Sequence, residues 1–287
     1  VLLAHGSTTV EVKSGYGLVL DAELKQLEVV KRLAAGPPSL IGTFLGAHET
    51  PPEDRQAPDR YLDRVIGEML PAVRRQGVAR FCDVFCEPGV FTVEQARRLL
   101  RAAGDLGFGL KLHADELDGT GGAELAAELG AMSADHLAAV SDRGIAALAG
   151  SRTVAVLLPG TMWFLGKRAQ APARRLIDAG AAVALATDFN PGSSPGMSLP
   201  LMAMTGVSQM GMLPAETVMA ITVNGAAAVG EASTRGQIAP GFRADLALAA
   251  IHDWRELPYW YGVNLIREVW VSGRACHPWK GSLDFPA

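Results

Sequence analysis

The sequence predicts an α/β fold, a (β/α) barrel unit followed by a small β segment. Three observations carry this expectation. Short apolar, β-prone runs alternate with longer stretches of helical period. Successive runs are roughly 20–40 residues apart, the spacing of a barrel unit. Beyond Gly236 the alternation gives way to short strands and turn signals with no long helix between them.

In chain order, the first strand is expected at 8–12 and the first helix at 22–34, where apolar residues fall three and four apart. A strand at 42–46 and a helix at 62–76 repeat the unit. The strand at 80–86 carries Cys82 and Cys86 on one face. With no second cysteine pair they are expected to be small buried hydrophobes rather than zinc ligands. Thr92 opens a helix over 93–104 whose Arg97, Arg98 and Arg101 make a solvated side; Arg174 and Arg175 read the same way. Further strands are expected at 109–113, 132–136, 153–158 and 181–187, with helical segments between them. Gly160 to Arg168 brushes against the P-loop pattern, but five residues separate its glycines and Arg168 stands where Ser or Thr should hold magnesium. After a boundary near residue 235, Gly-Gln-Ile-Ala-Pro-Gly-Phe-Arg-Ala-Asp-Leu-Ala-Leu and Arg267-Glu-Val-Trp-Val-Ser-Gly supply the short strands.

Composition bounds the function classes. Apolar residues make up 49% and charged residues 20%, a globular balance that argues against disorder. The 287 residues allow one large domain with a small appendage. Against 30 acidic residues stand 26 basic ones, for a net charge of −4 and a pI near 5.9. Neither nucleic acid nor an anionic membrane is expected as a partner on that balance. Three cysteines make no disulfide framework, so a reducing, cytoplasmic compartment is the expectation. No apolar run approaches the roughly 20 residues of a membrane span. Val1 to Gly6 lacks the basic and apolar regions of a signal peptide, and the missing initiator Met makes the chain read as cut from something longer.

The informative feature is what ends each strand. One apolar run leads into His48, another into His113-Ala-Asp115-Glu116, a third into Asp135-His136, and a fourth into Asp188-Phe-Asn190. A parallel barrel builds its active site at the C-terminal ends of its strands. A lone histidine there is ordinarily a hydrogen-bonded structural residue, and a lone Asp is often only a helix N-cap. Three His and one Asp at four separate ends instead point to a site, and these residue types ligate a hydrolytic metal ion and shuttle its protons. No Gly-x-Ser-x-Gly elbow supports a serine hydrolase.

Longer stretches sharpen this. They are Val10-Glu-Val-Lys13-Ser14-Gly15-Tyr16-Gly17, Gly46-Ala-His48 followed by Pro51-Pro52-Glu53, Asp83-Val-Phe-Cys86-Glu87, and Leu112-His113-Ala-Asp115-Glu116. Ser133-Ala-Asp135-His136-Leu137, Leu157-Leu-Pro-Gly160, Ala186-Thr-Asp188-Phe-Asn190-Pro-Gly192-Ser193-Ser-Pro195 and Glu256-Leu-Pro-Tyr259-Trp-Tyr-Gly262-Val-Asn264 follow. In these stretches, and through nearly its whole length, the sequence resembles the imidazolonepropionases, amidohydrolase-superfamily enzymes of histidine degradation. The Lys-Ser-Gly-Tyr-Gly and Leu-Pro-Tyr-Trp-Tyr-Gly stretches are the most specific. Thr222-Val-Asn224 and Gly241 to Asp245 belong to amidohydrolases generally, and Glu49 after His48 is a minor departure.

The resemblance implies a (β/α)8 TIM-type barrel lacking its first strand over 1–235, and the C-terminal part of a small β-sandwich domain over 236–287. It implies hydrolysis of the cyclic amide of 4-imidazolone-5-propanoate to N-formimidoyl-L-glutamate with one divalent zinc or iron ion. By the same resemblance His113 and Asp188 are metal ligands, and Asp188 also takes the water's proton. His136 polarises the carbonyl or shuttles a proton. Glu116 contacts the ring nitrogens and protonates the leaving nitrogen. Tyr16 and His48 bind substrate, and Asn190, Gly192 and Ser193 hold its carboxylates.

One departure is large. The family carries a His-x-His pair at the end of barrel strand one and a substrate-binding Arg after it, and this chain has neither; His5 has no partner two residues on. The chain is therefore expected to be N-terminally truncated, with a gap in the barrel and too few ligands to bind a hydrolytic metal well. Its partners are expected to be the small-molecule substrate and, as assembly, a homodimer. Two alternatives stay open: another amidohydrolase, such as a heterocycle deaminase or a different cyclic amidase, and a non-catalytic barrel remnant serving as a binding or interface module.

Overall fold

Seven parallel strands form one sheet in the computed structural model, which describes residues 1–278. They are β1 (Thr9–Lys13), β2 (Ser39–Ala47), β3 (Ala79–Cys86), β4 (Gly109–Ala114), β5 (Ser133–His136), β6 (Val154–Leu157) and β7 (Val183–Leu185). Each expected strand is present, with its ends within three residues of the sequence-based bounds. The strands pair in chain order, so β1 and β7 are the edges and the barrel is open between them among the described residues. Stepwise order of this kind arises when each strand is followed by a helix that returns the chain to the next position, as in a (β/α) barrel.

Those returns are α1 (Leu20–Leu33), α2 (Pro58–Arg64) and α3 (Leu70–Gln76) joined by a π turn, α4 (Val93–Asp105), α5 (Gly122–Glu128), α6 (Asp142–Ala149), α7 (Pro159–Phe164) and α8 (Ala173–Asp178). After β7 come α9 (Leu199–Met210), α10 (Pro214–Ile221) and α11 (Val223–Ala228). Local chemistry sets several boundaries. Thr92 accepts from Gln95 N while the Gln95 side chain accepts from Thr92 N, a reciprocal cap on α4. Ser141 caps α6 by accepting from Gly144 N. The arginines expected on solvated faces are ion-paired there: Arg174 reaches both Glu216 carboxylate oxygens at 2.8 and 3.0 Å, and Arg97 pairs with Glu128 and Glu94.

Strand side chains alternate between two environments. Outward-facing Phe44, Cys82, Val84, Cys86, Leu112 and Ala134 pack under Leu27, Tyr61, Leu62, Leu99 and Leu100 of the helices, all within one buried core. Cys82 and Cys86 are both fully buried inside it as free thiols, in the environment expected of small buried hydrophobes. Tyr61 is fully buried and its hydroxyl donates to Gly46 O at 2.7 Å, so the helix layer is also keyed to the sheet backbone. The alternate positions face inward; on β1 to β5 they include Glu11, Lys13, Thr43, Asp83, Lys111, His113 and Asp135, while β6 and β7 contribute the apolar Val154, Val156 and Ala184.

A second sheet follows, three antiparallel strands β8 (Leu246–Ala249), β9 (Ile266–Val271) and β10 (Arg274–Pro278) in the order β10-β9-β8. Residues after Pro278, part of the expected C-terminal segment, lie outside the described residues. The buried Arg235 guanidinium links the two sheets, donating to the Thr9 hydroxyl on β1 and pairing with Asp245 Oδ2 at 3.1 Å just before β8. Among the described residues no helix is long and apolar enough to cross a membrane.

Candidate active site at the strand ends

The inward positions of the strands carry a ladder of charge. Lys111 on β4, almost wholly buried, donates to Glu11 Oε2 on β1 at 2.9 Å and to Ser133 Oγ on β5 at 3.1 Å. The Thr43 hydroxyl on β2 donates to the other Glu11 oxygen. One step nearer the C-terminal ends, Lys13 donates to Asp83 Oδ2 and Asp135 Oδ2 at 2.5 Å each. Ser133 Oγ donates to Asp135 Oδ1 at 2.6 Å. Buried charge persists only when paired, and here each charge has its partner. Burial opposes the charge on Lys13, yet Asp135 and Asp83 hold its pKa well above the ordinary lysine value. Burial would likewise raise Asp83, but His113 and Lys13 hold it far below the usual carboxylate range.

Glu11, Lys13, Lys111 and Asp135 of this ladder help line a cavity of about 960 Å³, whose lining also includes Tyr16, His48, His113, Glu116, His136, Asp188, Asn190 and Ser193. The structure thus brings together on one wall eight of the nine residues singled out from the sequence. Gly192 is not on that wall; it sits behind Asn190, whose Oδ1 accepts from Gly192 N at 2.9 Å and Ser193 N at 2.7 Å. Those two backbone donors are therefore engaged in shaping the loop. The Asn190 amide donates to Asp188 O at 2.8 Å and Ser193 Oγ at 3.0 Å, tying the loop to the end of β7.

His113 Nδ1 lies 3.1 Å from Asp83 Oδ1, leaving Nε2 for the cavity. Asp188 Oδ2 accepts from the Thr161 hydroxyl at 2.7 Å, leaving Oδ1. One imidazole nitrogen and one carboxylate oxygen, each held from behind, form the donor chemistry that suits a divalent cation. Burial works against protonation of His113, but the Asp83 carboxylate outweighs it and the pKa stands above the ordinary histidine value. Burial raises Asp188.

His136 Nε2 is 3.5 Å from Glu116 Oε2, and its ring lies 5.2 Å from that of His113. Burial, reinforced by His113, pushes His136 well below its usual pKa, and takes His48 down to about 4. Both are neutral imidazoles at neutral pH, able to donate from one nitrogen and accept at the other. Glu116 goes the other way: burial raises it to about 7. A carboxyl group with that pKa can hold and release a proton near neutrality, as general acid catalysis requires.

Backbone strain marks the same positions. Asp115 (φ 49°), His136 (φ 80°), Leu137 (φ 62°) and Asp188 (φ 50°) all occupy the left-handed region, costly for non-glycine residues. At Asp115 the compensation is visible: the buried carboxylate accepts from Thr120, Gly121, Gly122 and Ala123 N at 2.8–3.1 Å. Glu87 similarly accepts from Glu116 and Leu117 N at 2.5 and 3.1 Å. Asp115→Ala is expected to cost about 2–3 kcal/mol in a urea unfolding titration, because several backbone donors lose a charged acceptor. Gly15 has φ 128°, and a Cβ there would stand 2.7 Å from Leu45 O. This bend sets Tyr16 edge-on to His48, ring centroids 4.7 Å apart. Gly15→Ala is expected to lower the denaturant midpoint by an amount equal to about 1–3 kcal/mol, through strain at that φ.

Sequence reasoning assigned no role to Lys13, Asp83, Asp135, Glu87 or Thr161. A signal for the first three exists: a charged residue inside an otherwise apolar β run has to face a polar interior.

The sequence profile of the Amidohydrolase family matches residues 20–276. The chain belongs to the amidohydrolase family. This amidohydrolase chain is 54% identical over 273 residues to an imidazolonepropionase of Geobacillus kaustophilus and 51% identical over 274 residues to one of Bacillus velezensis. Each alignment covers 95% of the chain, which spans only 64–65% of the length of these relatives. Among solved structures, a 5-methylcytosine deaminase from Klebsiella pneumoniae superposes with a TM-score of 0.75 at 17% identity, covering 98% of this chain and 73% of that one. A zinc-bound adenosine deaminase from Xanthomonas campestris gives 0.72 at 20% identity, covering 99% and 69%. At such identities these two likenesses speak for the fold of the amidohydrolase chain alone.

Proposed function

We propose that the protein carrying this chain is a metal-dependent hydrolase that opens the cyclic amide of 4-imidazolone-5-propanoate with water, giving N-formimidoyl-L-glutamate in histidine degradation. What supports this most is the Glu116 carboxyl group, with a pKa near 7, beside His136 in the cavity that His113 and Asp188 also line. The identity to imidazolonepropionases supports this substrate over other amides. On this proposal residues 1–235 carry the chemistry, and 236–287 belong to a second domain.

His113 and Asp188 are the proposed ligands for one zinc or iron ion. Such an ion supplies Lewis-acid activation of water when bound. Because a catalytic ion takes at least three protein ligands, this pair is part of a larger set. Neutral His136 donates to the amide carbonyl as charge develops on oxygen. Glu116, in its protonated form, which its pKa of about 7 keeps populated near neutrality, donates to the leaving ring nitrogen, and Asp188 accepts the proton of the attacking water. Tyr16 and His48 close one side of the substrate, while Asn190 and Ser193 line the cavity at its carboxylate end and Gly192 shapes that loop through Asn190 Oδ1.

The test is to incubate the full-length protein, loaded with Zn2+ or Fe2+, with 4-imidazolone-5-propanoate and follow N-formimidoyl-L-glutamate by NMR. Product formation is expected. Release of ammonia from an aminated heterocycle, with the cyclic amide untouched, would instead assign a deaminase. Turnover of neither would leave a binding module.

A further inference from the structure

At the wall of the cavity, one oxygen each from Asp83 and Asp135 and a ring nitrogen of His113 lie within 4.8 Å of one another, all three residues buried. Donors gathered like this inside a protein demand a counter-charge, ordinarily a metal ion. Here Lys13 Nζ sits 2.5 Å from both carboxylates. The second oxygen of Asp135 is taken by Ser133, and that of Asp83 accepts from Val84 N at 2.7 Å and meets His113 Nδ1 at 3.1 Å. We propose that Lys13 is a resident cation held between the two carboxylates of this cluster and, by holding Asp83 against Nδ1, fixes His113 in the tautomer that turns an unprotonated Nε2 to the cavity.

The chemistry of the donors requires this coupling. An ionised carboxylate only accepts, so the hydrogen between Asp83 and a neutral His113 belongs to Nδ1, and the lone pair belongs to Nε2. Asp83 keeps that orientation because its other oxygen is pinned by the ammonium. Lys13 is on the edge strand β1, and its reach across the interior to β3 and β5 makes it a positioning residue that touches His113 only through Asp83. The tautomer stands independently of the hydrolytic function proposed above, to which it adds how one ligand is prepared.

The experiment uses the chain labelled with 15N at histidine and long-range 1H–15N correlation at alkaline pH. His113 is assigned by its loss in His113→Gln. The natural chain is expected to show a pyrrole-type Nδ1 and a pyridine-type Nε2. Lys13→Met is expected to show mixed tautomers and, by dialysis and metal analysis, to retain one equivalent of Zn2+ more than the natural chain. That extra equivalent is lost again in Lys13→Met/Asp135→Asn. Lys13→Arg, which keeps a cation, retains the single tautomer and takes up no extra zinc. An Nε2–H tautomer in the natural chain overturns the proposal, as does a folded Lys13→Met chain with no added zinc and an unchanged tautomer. Should Lys13→Met fold only with Zn2+ present, the ion is replacing the ammonium; should it fold under neither condition, the natural chain and Lys13→Arg decide. No readout involves turnover, so failure of the proposed hydrolysis and failure of this inference are separate results.

Discussion

His113→Ala in the full-length protein is expected to abolish tight binding of the divalent ion and to lower hydrolysis of the cyclic amide roughly a thousandfold or more. The size follows from what is removed. Lewis-acid activation is worth several kcal/mol, and about 1.4 kcal/mol is a factor of ten in rate. His113 is the imidazole whose Nδ1 is held by Asp83 while the ring faces the cavity, so alanine removes a donor that no neighbour replaces in kind. His136 is near, at 5.2 Å between rings, but its Nε2 is directed at Glu116 3.5 Å away. The measurement is metal content after dialysis together with kcat on the reloaded variant. A variant that keeps its metal and more than a tenth of its turnover would remove His113 from the ligand set.

Glu116→Gln carries the second large effect, and it has two faces. On turnover, loss of the proposed general acid is expected to lower kcat about 10²–10⁴-fold. The natural protein should itself lose activity as pH rises through the region near 7, because the proton donated to the leaving nitrogen is no longer there. The variant's residual rate should lack that limb. On stability the sign is opposite. A carboxyl group whose folded pKa is raised stabilises fully below its unfolded value, and that contribution is lost as pH climbs through the folded value. For Glu116 the window runs from about 4.5 to about 7. The metal-free chain therefore gives up on the order of 3 kcal/mol by pH 8 to keep this group buried. Glu116→Gln, which has no charge to bury, should melt several degrees higher than the natural chain at pH 8 and close to it at pH 5. Equal melting differences at the two pH values would show that Glu116 is not held neutral by burial.

The strands were readable because their apolar runs are short and their helices are amphipathic, and the pattern survives in α4 with its Thr92 cap. The site was readable in part. His48, His113, His136 and Asp188 stand where strands stop, and a barrel gathers strand ends at one face. Asn190 was expected to help hold the substrate's carboxylates; folded, its amide donates to Asp188 O and Ser193 Oγ. Lys13 shows the limit most clearly. Its two carboxylate partners lie 70 and 122 residues away, and nothing local in Val10 to Gly17 names them.

By itself, the sequence determined which segments are strands, which of them end in ligand-type residues, and the family to which the chain belongs. Period-two alternation is a property of one strand, so it can assign a residue to a face without saying what stands opposite. Sheet order and register decided the rest: that Lys13 meets Asp83 and Asp135, that Asp83 backs His113, and that Glu116 is buried deeply enough to titrate near 7. Coulomb energy and desolvation depend on distances between groups remote in the chain, and only folding sets those distances.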